Sequence, residues 1–203
     1  MKVAKRDIEL LYELGCIRFI PRMWKRFFNG DFANLAEHHF HVTWIALVIA
    51  GHEGVQSTDK IMKMALVHDI AESRTGDVDY LARQYTERNE ELGLKDMLSG
   101  RIFEDEMLAL WQEYEAHESI EAKIVKDADI LDQDFEMQEQ IQKGVSFGGD
   151  PEHWRKVRKN VYDLKLSTNT AKAMWRALQI ENPQDWHVLG RNRYNSGDWH
   201  KSS

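Results

Sequence analysis

Proline stands at only three of 203 positions, Pro21, Pro151 and Pro183. Proline removes a backbone donor and clashes with the preceding turn, so a chain this poor in it can remain helical over long stretches. The apolar pattern agrees. Hydrophobic residues recur at three- and four-residue spacing through most segments, and alternation over strand length is rare. An all-α protein is expected, with helices over roughly residues 5–15, 34–51, 58–73, 77–89, 102–116, 118–143, 151–165 and 168–180. Thr58-Asp59 reads as a helix N-terminal cap, and Gly76 and Gly148-Gly149 as breaks.

A hydrophobic content of 42% over this length suits one well-buried domain with a tail. We place the domain at 1–182 and a polar arm carrying Trp186, Tyr194 and Trp199 at 183–203. No apolar run is long enough to span a bilayer, so no membrane partner is expected. The opening "MKVAKRDIELLYELG" turns amphipathic and acidic and lacks a signal-peptide pattern. The single cysteine, Cys16, rules out an intrachain disulfide and a cysteine-rich zinc site. A cytoplasmic location is the simplest reading. Cys16 lies among Leu14, Ile17 and Phe19 and is expected in the core. The formal net charge of -7 argues against a broad nucleic-acid surface, because duplex binding depends on phosphate neutralisation. It leaves room for a small anionic substrate met by a local positive cluster or a metal ion.

The stretch "MALVHDIAESRTGD" changes character partway along. Met64 to Val67 demand burial, whereas His68, Asp69, Glu72 and Asp77 at the edge of a core need partners to offset desolvation. Upstream, "AEHHFHVTWIALVIAGHEG" holds His38, His39, His41 and His52; downstream, "KIVKDADIL" sets Asp127 and Asp129 in an apolar helix. Three helical segments that each offer a histidine or carboxylate can hold a metal between them. A lone His-Asp pair carries little weight; the ordered set carries more. On α-helical geometry Asp129 falls with Val125 and Ala122 on an apolar face, and Asp127 with Lys123 on a wetter one.

These pieces, "PRMW", "LAEHHFHVTWIAL", "ALVHDIAESRTGD" and "LWQEYEAHESIEAKIVKDADILDQ", resemble the HD-domain phosphohydrolases over roughly residues 10–142. Within them the chain most resembles the 5′-deoxyribonucleotidase (YfbR-like) branch. The resemblance implies an HD-domain helical bundle with one divalent ion between helices, held by His38, His68, Asp69 and Asp129. It places catalytic and substrate-contacting carboxylates at Glu72 and Asp77 and a phosphate-binding arginine at Arg22. Arg18, with Lys25 and Arg26, adds local positive charge. Trp24 matches an aromatic that in some members directly follows the arginine; here Met23 intervenes. The implied activity is removal of the 5′-phosphate from (deoxy)nucleoside 5′-monophosphates, in a homodimer. Alternatives are a deoxynucleoside triphosphate triphosphohydrolase and a non-catalytic nucleotide-binding HD scaffold.

A mixed nitrogen and oxygen donor set suits Mn, Co, Fe, Ni, Zn or Mg and does not choose among them. Glu72, one turn beyond Asp69, is placed to steer a proton. Asp77, being negative, suits a sugar hydroxyl rather than a phosphate. Among the remaining histidines, His41 sits one turn from His38 and is the best placed to support a ligand from behind. Only His117 lies between Asp69 and Asp129, which favours one metal over two.

Overall fold

A computed structural model describes residues 3–146 and 151–189, except the side chains of residues 151, 153 and 154. The described residues contain helices, turns and a single isolated bridge between Pro21 and Asn34, with no named strand. The helices are α1 (Lys5–Cys16), α2 (Leu35–Glu53), α3 (Thr58–Val67), α4 (Glu72–Thr75), α5 (Glu90–Leu98), α6 (Glu104–Ala116), α7 (Ile120–Gln142), α8 (Pro151–Leu164), α9 (Asn169–Leu178) and α10 (Asp185–Val188). None is long and apolar enough to cross a membrane.

Helix α2 is the central element, packed mainly on α7 and α3, which also meet each other. Its start is set by a reciprocal cap: the Asn34 side chain accepts from the Glu37 amide, and the Asn34 amide donates to Glu37. It stops at Gly54, whose φ of 73° lies in the left-handed region that glycine tolerates. Val42, Ala46 and Ile49 point inward and are fully buried. Each large aliphatic buried in this way contributes about 1.5–3 kcal/mol relative to exposure. Leu131 and Ile124 of α7 and Ile61 and Met64 of α3 complete the same core.

Several sequence-based expectations are corrected. The helix expected at 77–89 does not form. Gly76 turns the chain out with φ 76° and ψ 153°, and Asp79 accepts from the Leu81 and Ala82 amides, making a turn instead of a helix. The helix in this region is α5, begun by Asn89 accepting from the Leu92 amide and anchored by buried Leu94, Met97 and Leu98. Helix α3 ends at Val67 rather than 73 and is capped by Ser57 without a side-chain bond, so Thr58-Asp59 is no cap. Cys16 is exposed, not core. Asp127 is fully buried rather than on a wet face. Gly148-Gly149, Tyr194 and Trp199 lie outside the described residues. Trp186 is exposed on α10.

Candidate metal centre

The end of α3 is decided by a side chain. His68 Nδ1 donates to the Ala65 carbonyl at 2.7 Å, an acceptor that a continuing helix would offer to the Asp69 amide. The chain then tightens through three-residue bonds, Glu72 N to Asp69 O and Ser73 N to Ile70 O. A carbonyl can only accept, so the His68 proton sits on Nδ1 and the Nε2 lone pair faces away from α3. It faces His38 on α2, with 3.3 Å between the two Nε2 atoms.

His38 is oriented by the same logic. Its Nδ1 lies 2.6 Å from Asp132 Oδ2, and its Nε2 lies 3.6 Å from Asp69 Oδ2 and 3.4 Å from Asp129 Oδ1. Asp69 Oδ2 is 3.3 Å from His68 Nε2. One donor atom from each of His38, His68, Asp69 and Asp129 thus falls within 4.8 Å of all the others. Donors bound at about 2.0–2.2 Å around one ion are separated by about 3–4.5 Å, so the four fit a divalent cation. The Nδ1 bond behind each histidine is the support that metal-bound imidazoles require.

Four other residues complete the surroundings. Asp132 also bonds His41 Nδ1 at 2.7 Å, so His41 supports the site at one remove. Lys126 Nζ lies 2.9 Å from Asp129 Oδ2, and the Tyr114 hydroxyl donates to that oxygen at 3.3 Å. His39 is buried against His68, and its Nε2 has no partner. Asp132, Lys126 and Tyr114 escaped the sequence reading. Asp132 was findable, since it stands one turn from Asp129 on the same face; Tyr114 comes from another helix and left no such signal.

The charges are strongly coupled. Burial and Arg22 oppose a proton on His38, but the hydrogen bonds to Asp132 and Asp69 outweigh them and raise its pKa to about 9. Burial would raise Asp129, yet Lys126 and the two histidines hold it below the ordinary carboxylate range. Glu72 goes the other way. Burial first, then Asp69 and Asp77, push it up to about 9. Its Oε2 is buried with no hydrogen-bond partner, while Oε1 lies 3.3 Å from Arg88.

The donor set opens on a cleft of about 400 Å³ whose lining includes Arg22, Asp69, Glu72, Asp77, Lys126 and Asp129. Arg22 is buried and paired with Asp77 at 3.0 Å. Asp77 also accepts from the Met23 amide at 3.1 Å, so it ties the 23–26 turn to the cleft wall and begins no helix. The structure does not bring Arg18 or Trp24 into the cleft. Arg18 is exposed, stacked over Phe19, beside a separate hollow. Trp24 is buried with Phe32 and Met137 in a small second core.

Helices that turn two histidines and two aspartates onto one point define the class: the chain belongs to the HD domain family, whose model matches residues 14–165. More particularly, it is similar to the 5′-deoxynucleotidase HDDC2 of Bos taurus, 30% identical over 132 residues, which cover 62% of this chain and 63% of that protein. The same named protein of Homo sapiens is also 30% identical, over 62% of this chain and 64% of its own length. The chain therefore matches a little under two thirds of these curated relatives. Among solved structures, a conserved hypothetical protein from Pyrococcus furiosus superposes with a TM-score of 0.67 at 25% identity, over 85% of this chain and 98% of the other.

Proposed function

We propose that the protein is a metal-dependent phosphohydrolase that removes the 5′-phosphate from (deoxy)nucleoside 5′-monophosphates. The observation that carries this reading is the convergence of the His38, His68, Asp69 and Asp129 donor atoms within 4.8 Å beside the buried Glu72. The relatives named 5′-deoxynucleotidase support the substrate class.

His38, His68, Asp69 and Asp129 would hold one divalent ion, of Mn, Co, Fe, Ni, Zn or Mg. Such an ion acidifies water and offsets charge on a phosphoryl group. Asp132 and the Ala65 carbonyl keep both imidazoles turned toward it. Glu72 has its pKa raised to about 9 by burial and two neighbouring carboxylates before any cation is bound, which favours its protonated form. It is thus suited to donate that proton to the leaving 5′-oxygen as a general acid. Arg22, whose planar guanidinium has donors beyond the one on Asp77, orients phosphate oxygens. Asp77 accepts from a sugar hydroxyl. The cleft gives Arg18 and Trp24 no part in this reading.

The reading includes a single domain over 1–182 with an arm at 183–203, a cytoplasmic location and a homodimer. Phe40, Trp44 and Val48, spaced along the outer face of α2 and 68%, 56% and 45% exposed, support an interface between copies. Light scattering at micromolar concentration should give twice the chain mass, and a monomer would remove this part.

Phosphate release from deoxy- and ribonucleoside 5′-mono- and triphosphates tests the reaction. The protein is first stripped of metal and then supplied with Mn²⁺, Co²⁺, Mg²⁺ or Zn²⁺. Metal-dependent release from monophosphates that collapses in Glu72→Ala is expected. Release of triphosphate from triphosphates would replace the reading with a triphosphohydrolase. A tightly bound ion with no release would replace it with a nucleotide-binding scaffold.

A further inference from the structure

We infer that Lys126 contacts the phosphoryl group of the substrate, an inference that rests on the phosphohydrolase reading above. Lys126 is the one cation, among the described residues, hydrogen-bonded to a member of the metal-donor set. Its ammonium has three donors. One meets Asp129 Oδ2 at 2.9 Å and one meets the Tyr114 hydroxyl at 3.1 Å. The third has no acceptor among the described residues, and the side chain, 37% exposed, lines the cleft.

None of the other cations of the cleft wall is hydrogen-bonded to a member of the donor set among the described residues. Arg22 is buried against Asp77. Arg88 bonds Glu72, the Gly76 carbonyl and Glu90. Arg83 donates Nε to the Val78 carbonyl. Lys165 is exposed on the rim and bonds none of the donor set. Lys126 stands next to the donor cage, because Asp129 touches both: Oδ1 faces His38, and Oδ2 faces Lys126, so a phosphoryl group held at the cage would come within its reach. A compact ammonium on a flexible stem serves such a group as a point charge that can shift without leaving its neighbours. Tyr114 keeps the ammonium in place, its hydroxyl and ring both beside Nζ.

A purely supportive role, in which Lys126 only steadies Asp129, makes a different prediction, and Tyr114 separates the two. Both side chains hold Asp129 Oδ2, but only Lys126 can reach phosphate as a cation. The experiment compares wild type, Lys126→Met, Lys126→Arg and Tyr114→Phe. Co²⁺ affinity is read from visible absorption, inorganic phosphate affinity of the Co²⁺-loaded protein from calorimetry, and KM and kcat from phosphate release. Thermal melts confirm folding.

Lys126→Met should weaken inorganic phosphate and raise KM about tenfold or more, as loss of a charge-assisted bond implies, with Co²⁺ affinity changed only a few-fold. Lys126→Arg should recover much of the phosphate affinity. Tyr114→Phe should leave phosphate affinity close to wild type. Equal loss of phosphate affinity in Tyr114→Phe and Lys126→Met would overturn the contact, since the effect would then pass through Asp129. So would unchanged phosphate affinity and KM in Lys126→Met while the wild type is active. A wild type that releases no phosphate from any nucleotide would overturn the phosphohydrolase reading and this inference with it.

Discussion

Helix α7 carries two pairs of aspartates on opposite faces, and the contrast between them separates support from chemistry. Asp129 and Asp132 are three residues apart and point about 60° from each other, toward α2 and the cleft. Asp127 and Asp134 are seven apart and share a direction to within about 20°, on the far side. On that side the chain itself satisfies both. Asp127 accepts from the Ser167 and Thr168 amides and the Thr168 hydroxyl, fixing the start of α9. Asp134 holds Arg158 through two bonds, at 2.7 and 2.5 Å. On the cleft side Asp132 meets two histidines, and Asp129 keeps Oδ1 3.4 Å from His38 Nε2 while sharing the cage with His68 and Asp69. A buried aspartate surrounded by protein donors is fully used. One that faces other ligand atoms has something still to bind.

The sharpest break in that contrast is Asp129→Ala. Metal binding by calorimetry and phosphate release should both fall below detection, while the melting temperature of the metal-free protein stays near wild type, because the cleft admits water. On the opposite face Arg158→Met should leave metal affinity unchanged and cost about 3–5 kcal/mol in urea unfolding, by stranding the buried Asp134. Adding Asp134→Leu should return most of that loss. A single variant without destabilisation would mean that water reaches the pair.

Asp132→Asn is expected to be intermediate. It preserves shape but weakens the hold on His38 and His41, so metal affinity should drop by about 10–100-fold with the fold intact. Asp127→Asn should cost about 1–2 kcal/mol of stability and nothing in metal affinity, as the loss of a helix-start acceptor. Metal loss in Asp127→Asn would erase the distinction between the faces.

The smallest effect is in pH. Burial raises the Asp134 pKa in the folded state, more than its bonds to Arg158 lower it. Its contribution to stability is therefore fully present below the unfolded value of about 3.9 and is lost as pH rises through the higher folded value. Urea midpoints from pH 7 down to pH 4 should show wild type gaining on Asp134→Asn; a gap that narrows would reverse the sign.

Scarce proline and apolar spacing act locally, so the helical class and the spans of α1, α2, α6, α7, α8 and α9 were legible in the residues to within a few positions. The order of histidines and carboxylates along the chain pointed to a metal site, and the family resemblance narrowed it to His38, His68, Asp69 and Asp129 with Glu72 beside them. Periodicity failed between 77 and 98, where Gly76 and the Asp79 turn override it and Asn89 starts a different helix. It failed again at Asp127, whose neighbours on the wheel are mixed but whose partners lie forty residues away at Ser167 and Thr168. Tertiary contacts alone settle that Asp127 fixes the start of α9 while Asp129 faces the ligand cage, that Arg22 is paired with Asp77, and that Trp24 belongs to a core. Each of those outcomes depends on which donor another segment brings within about 3 Å, and no local pattern encodes that distance.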